Sequence, residues 1–275
     1  MFKLKDWIDQ YKIGWVMLSK NPSARAIALL EKNQDKIDWL NLSLNPSALT
    51  LLEKNQDKIN WTLLSANPSE RAIALLEQNQ KKIRWSQLSR NPSALTLLEN
   101  NQDKIEWSQL SLNQSAITLL EKNQDKIEWT QLSRNPAALT LLEKNQDKIH
   151  WTQLSRNPSA IALLEKNQDK IDWALLSLNP SARAIALLEN NQDKIDWNWL
   201  STNLSALTLL EKNQDKINWT QLSQNPAIFE YDYKGMKDAM YNGIKEDLVK
   251  NRFHPKNIPK FRDWGMDGFE DYEHE

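Results

Sequence analysis

The side chains that could act here as nucleophile, base or metal ligand are few. A serine recurs once per repeated unit, as Ser133, and there are three histidines, His150, His254 and His274. A serine nucleophile needs a base within hydrogen-bond reach. No histidine keeps pace with the serine, so its spacing fits a hydrogen bond at a helix end instead. His150 stands where other units carry Asp, Glu, Asn or Arg, which marks a surface substitution, and His254 precedes Pro255 as part of a structural turn. His274, with Glu270, Asp271, Glu273 and Glu275, offers donors to a cation, but nothing fixes their geometry. The glycines Gly14, Gly235, Gly243, Gly265 and Gly268 all fall outside the fully repeated stretch, so no phosphate-cradling loop is present. The absence of cysteine removes thiol catalysis, disulfides and thiolate metal sites together. The expectation is a non-enzymatic chain with no cofactor and no metal centre.

Recognition chemistry is better represented. Gln87, Gln131 and Gln153 stand two residues after a tryptophan, and Arg90, Arg134 and Arg156 follow three residues later. In an otherwise fixed unit these positions vary, with Met17, Asn41, Leu63, Leu175 and Trp199 replacing glutamine and Leu44, Leu112 and Leu178 replacing arginine. Variable positions in stacked units line up and commonly form a binding strip. The six named side chains are therefore the expected partner-binding ridge. A competing ridge is Arg25, Arg71 and Arg183, which lie in local two-residue insertions.

What positions these residues is a repeat. Its best copy is 129–150, WTQLSRNPAALTLLEKNQDKIH. The repeat tryptophans are Trp15, Trp39, Trp61, Trp85, Trp107, Trp129, Trp151, Trp173, Trp197 and Trp219, with most steps 22 residues and three of 24. A fixed period of this size marks a solenoid. Asn135-Pro136 reads as a helix start, with asparagine as N-cap and proline where its missing N–H costs nothing. Ala138, Leu141 and Leu142 then fall on one face, with Leu139 beside them, and Asn145 ends the helix. Asn123-Gln124-Asp125 reads as a second start, capped by Asn123 or Asp125 and running on through Trp129, Leu132 and Ser133. Helices shorter than ~12–15 residues are marginal alone, so the units must stack. The expected fold is an all-α, αα-solenoid: a superhelical stack of two-helix repeats of 22–24 residues. Trp39 through Trp219 are expected as a structural core ladder, with an exposed aromatic platform as the alternative. In the longer units, aligning from the helix end keeps Ala26, Leu29 and Leu30 in register with Ala48, Leu51 and Leu52. The insertion therefore lengthens the helix by about half a turn.

The pattern W-x-x-L-S-x-N-P-x-A-[IL]-x-L-L-E-x-N-x-D-K-I resembles the Trp/Leu-rich repeat proteins that giant DNA viruses of protists encode in many copies. The resemblance spans nearly the whole chain, including Asn225-Pro226-Ala227-Ile228-Phe229, Phe253-His254-Pro255 and Lys260-Phe261. It implies a helical repeat architecture and a viral structural or assembly setting, in host cytoplasm or virion, and it carries no enzymatic activity with it. Asn-Gln-Asp-Lys-Ile recurs here more uniformly than in most such proteins.

Composition agrees with a scaffold. Lys plus Arg is 35 against Asp plus Glu 36, so no net field draws the chain to nucleic acid or membrane. No apolar run approaches the ~20 residues that span a bilayer, and the charged start MFKLKDWIDQ lacks a signal-peptide core. The chain reads as soluble and intracellular. Residues 1–14 are expected as an N-terminal cap, 15–226 as the solenoid, 227–264 as C-terminal capping helices and 265–275 as an acidic tail. The cap helix is expected to follow Met236, Met240, Ile244 and Leu248 to about Asn251, with a shorter helix from Pro255 or Pro259 through Trp264. The function these features imply is protein–protein interaction. The alternative is a nucleic-acid-binding solenoid that tracks a polymer with its glutamines and arginines.

Overall fold

The computed structural model of the chain describes Ile8, residues 12–229 and residues 232–247. Among these residues every regular element is helical. By internal contacts the chain divides into two units, Met1–Asn225 and Pro226–Glu275. The first is the expected αα-solenoid. Each repeat has a Trp helix, as Trp129–Arg134, and a Leu helix, as Leu139–Lys144, with Trp helices lying against Trp helices along the stack.

The repeats are more finely divided than their sequence suggests. Asn135 does cap the second half of the unit, but it caps a single 3-10 turn, Pro136–Ala138, that leads into the Leu helix. The stretch read as the start of the Trp helix is instead a separate 3-10 turn, Gln124–Lys126, and Ile127 after it is extended. Neither Asn123 nor Asp125 caps the Trp helix. Asn123 closes the preceding Leu helix, its Nδ2 donating to the Leu119 carbonyl at 3.0 Å. The extended Ile127 is 7% exposed and sits at the edge of the core.

Burial follows columns rather than helices. Leu132, Ala138 and Leu142 are each 0% exposed, and so are their counterparts Leu88, Ala94 and Leu98. The alanine lies where the 3-10 turn passes into the α-helix, at φ −88° and ψ 3° for Ala138. It is fully buried, so a larger side chain there is expected to overpack the junction. The tryptophans pack against this core from its flank and keep part of their surface in solvent. The ladder expected as core is thus a half-buried border.

The longer units keep the predicted register. Their Leu helices are Ala24–Glu31, Glu70–Gln78 and Ala182–Glu189, against Leu49–Lys54 in a short unit. The α-helix now starts earlier, taking in positions that form a plain turn or a 3-10 turn in the short units, while Ala72, Leu75 and Leu76 stay buried as Ala48, Leu51 and Leu52 do. In the second unit a helix runs Tyr233–Asp247, with Met236 and Met240 exposed. That helix covers part of the expected 227–264 cap. Apart from Ile8 and Lys12–Gly14 the expected N-terminal cap lies outside the described residues. So do Leu248 to Asn251, the helix expected to reach Trp264, His254, His274 and the acidic tail.

Candidate interaction surface

The recurrent serine and asparagine join the units. Ser133 Oγ donates to the Trp129 carbonyl at 2.8 Å and accepts the His150 N–H, at the head of the next unit, at 3.0 Å. Asn135 Nδ2 donates backward to the carbonyls of Ser111 at 3.0 Å and Asn113 at 3.2 Å, while its Oδ1 accepts the Ala137 N–H at 3.0 Å. Both residues are buried. A buried polar group left unpaired costs free energy, so this pairing holds successive units in one register. Asn67 and Asn179 reach only the serine carbonyl; each heads one of the lengthened helices.

The tryptophans are covered from one side by a lysine. Lys148 Nζ lies 4.9 Å from the centre of the Trp129 ring, and Lys170 lies 4.5 Å from that of Trp151. The lysine belongs to the 3-10 turn that precedes the next Trp helix. Trp219, with no further repeat beyond it, is 61% exposed. The cover of each indole therefore comes from the unit that follows. This role was readable in principle, since a lysine stands three residues before every repeat tryptophan.

The residue before each tryptophan, read from sequence as surface variation, is the N-cap of the Trp helix. Asp38, Asn60 and Asp172 each accept a backbone N–H three residues on, at 2.8–3.0 Å. His150 does so through Nδ1 at 3.4 Å, and Glu128 accepts from Thr130 at 3.2 Å. Arg84 and Glu106 make no side-chain cap. Asp196 and Asn218 cap as Asp38 does and Gly14 has no side chain to cap with, so seven of the ten are fixed by the helix they start.

The two expected ridges behave differently. Arg71 turns back across the preceding unit, its Nη2 2.6 Å from Glu53 and its Nη1 3.1 Å from Thr50. Arg183 grips Glu165 through Nε at 2.9 Å and also through Nη2. The Glu165 hydrogen bond first, and its charge second, hold the Arg183 guanidinium above its ordinary pKa. Arg25 also has an interaction of its own. Arg90, Arg134 and Arg156 are exposed, and among the described residues no hydrogen bond or ion pair engages their side chains. Arg134 and Arg156, one unit apart, line a common hollow. Gln87 is exposed, whereas Gln131 and Gln153 are half-buried, and the Gln131 Oε1 is buried without a donor. The outer face of the Trp helices is thus polar and cationic through its middle. It carries exposed Leu40 and Leu44 toward one end and Trp199 toward the other.

Among the described residues no cluster of His, Asp and Glu is built to hold a metal ion, and no helix is long and apolar enough to cross a membrane. No family model, curated protein or solved structure matches the chain.

Proposed function

We propose that the protein is a non-enzymatic repeat scaffold that binds another protein along the outer face of its Trp helices. The observation that carries this reading is the contrast between two sets of arginines. Arg71 and Arg183 are tied to carboxylates of the neighbouring unit. Arg90, Arg134 and Arg156 are held outward with no counter-charge, two of them around one hollow. Like charges at close range raise the energy of the free protein, and an approaching carboxylate relieves it. Arginine also suits such a site because its planar fork takes a carboxylate in two hydrogen bonds. The partner surface that fits is acidic at its centre, opposite Arg134 and Arg156, and apolar at its margins, opposite Leu44 and Trp199. The resemblance to viral repeat proteins supports a role for such a scaffold in assembling a viral structure.

Nucleic acid is the competing ligand. Leu112 interrupts the arginine column between Arg90 and Arg134, and Glu106 and Glu128 stand at the heads of the Trp helices, which disfavours a continuous phosphate track. The test replaces Arg90, Arg134 and Arg156 together by alanine and compares capture of an acidic peptide series with binding to random RNA and DNA over a salt titration. The reading expects peptide capture to be lost while the melting curve is kept, since exposed substitutions move stability little. Capture that survives this change but fails when Arg25, Arg71 and Arg183 are replaced would identify the other ridge. Tight, steeply salt-dependent binding to nucleic acid would replace the protein partner altogether.

A further inference from the structure

One unit breaks the charge pattern of the others. Among the described residues, eight of the nine 3-10 turns that precede a Trp helix carry an aspartate, from Asp35 to Asp215. The ninth, Gln80–Lys82, carries Lys81 in that place. Three residues on, Arg84 stands where Asp38, Asp172 and Asp196 cap the Trp helix, and it makes no cap. Both changes forgo stabilisation, since a carboxylate suits the start of a helix and a capping oxygen satisfies a free N–H there. Both also run toward positive charge. Residues 81–90 hold Lys81, Lys82, Arg84 and Arg90 and no acid, whereas the equivalent 103–112 hold Asp103, Glu106 and one lysine, Lys104. All four cations are exposed. Lys82 lies over the Trp61 ring at 4.5 Å. Among the described residues no hydrogen bond or ion pair engages the side chains of Lys81, Arg84 or Arg90.

We infer that residues 81–84 form an anion-binding site that takes a short acidic segment of a protein partner. Rules of local stability are broken together where a site requires it, and here like charges crowd with nothing to offset them. Ile83 is extended and 8% exposed, so Lys82 and Arg84 flank an inward side chain and face outward together. The run from Lys81 to Arg84 spans at most ~10 Å, the length of about three extended residues. Cations strung along such a line match carboxylates spaced along a peptide better than one compact anion. Beside them, Gln78, Asn79 and Gln80 border a hollow of about 450 Å³ that Glu77, Lys81 and Lys82 complete. Their amides offer partners to the backbone of the bound segment. Along the stack the same positions return to Asp57 and Asp103 on either side of Lys81, and to Asn60 and Glu106 on either side of Arg84. A nucleic acid laid along the units would meet those carboxylates, so the ligand is confined to one unit. The site is separate from Arg134 and Arg156, which lie two and three units further on.

The test uses the full-length chain and a fluorescent peptide with four consecutive glutamates. Binding is read by anisotropy at ~0.1 M salt, where charge is screened beyond ~10 Å. Lys81→Asp with Arg84→Asp restores the residue types of the other units and sets like charges against the peptide. It is expected to weaken binding roughly ten-fold or more, while the melting temperature holds or rises. Lys81→Gln with Arg84→Ala removes charge without reversing it and is expected to give a smaller loss in the same direction. A control of equal charge change, Lys122→Asp with Lys144→Asp, alters exposed lysines of other units and is expected to leave affinity unchanged. An equal loss in that control, or no binding by the unaltered chain, would overturn the site. So would a loss that follows Arg134→Ala with Arg156→Ala and spares the Lys81 and Arg84 variants, an outcome that leaves the proposed function standing. Tighter binding of single-stranded DNA of matched charge through Lys81 and Arg84 would replace the acidic segment with nucleic acid.

Discussion

Truncating Asn135 to alanine removes three hydrogen bonds at once, two of them across a unit boundary. The Ser111 carbonyl would be left facing a buried gap, at ~1–3 kcal/mol for an unpaired group, while the Asn113 carbonyl keeps the Ala116 N–H at 3.1 Å. Asn135→Ala is therefore expected to lower unfolding free energy by at least ~2 kcal/mol, read from the denaturant midpoint at constant slope. A loss near zero would mean that water takes over the amide's partners. Asn135→Asp is expected to be worse than alanine at neutral pH, because it sets a carboxylate against two carbonyl oxygens. Trp129 should behave more mildly. A fully buried tryptophan costs ~3–5 kcal/mol on truncation, but this ring is only partly buried, under Lys148 at 4.9 Å. Trp129→Ala is expected to fall at or below the lower end of that range, and a double-mutant cycle with Lys148→Ala to give a coupling of ~0.5–1 kcal/mol. A coupling of zero would reduce the lysine to a bystander.

At the scale of the helix, the unit boundary is set by a single cap. Arg84 occupies the position at which Asp38, Asp172 and Asp196 accept a backbone N–H at 2.8–3.0 Å, yet it forms no cap. Arg84→Asp is expected to stabilise the protein by about 1 kcal/mol, by supplying an acceptor and a negative charge at the positive end of the helix. Arg84→Ala serves as the control and should give no such rise in melting temperature. This position shows where sequence reading stopped. The leucine and alanine columns were legible because burial imposes a helical spacing that any copy of the unit repeats. The cap before tryptophan was hidden because Asp, Asn, His, Glu and Arg all stand there, and only some of them cap. Asn123 and Asp125 misled for the opposite reason: they have the right chemistry for an N-cap, but extended Ile127 separates them from the helix. The serine and asparagine links could not be read from one unit at all, since their partners sit 17 to 26 residues away in the preceding or following unit. The arginine ridge was legible as a set of variable positions. That its members are unpaired while Arg71 and Arg183 are not depends on side-chain reach that spacing does not encode.

Over the whole repeat stack, stability has to pass from unit to unit. The columns of Leu132, Ala138 and Leu142 and the serine and asparagine links connect adjacent units only. A chain of this kind behaves as a sum of unit and nearest-neighbour terms, so its cooperativity lasts only while each junction is strong compared with the unit it joins. Packing loosens toward the last repeat: Leu222 retains 9% exposure where Leu132 in the middle has none. Amide exchange should therefore be slowest in central units, with the His150 N–H among the most protected, and faster at Asn218 and beyond. The sharper test weakens one central unit. Leu132→Ala and Leu142→Ala each remove a fully buried side chain, at ~2–5 kcal/mol apiece, which exceeds the contribution of a single junction's hydrogen bonds at ~0.5–1.5 kcal/mol each. With both changes, unfolding is expected to split into two transitions, the repeats before Trp129 and those after His150 melting independently. If the double variant instead melts in one transition shifted as a whole, coupling reaches past the adjacent unit. The shared backbone links through Asn113, Asn135 and Asn157 would then be the connection that carries it.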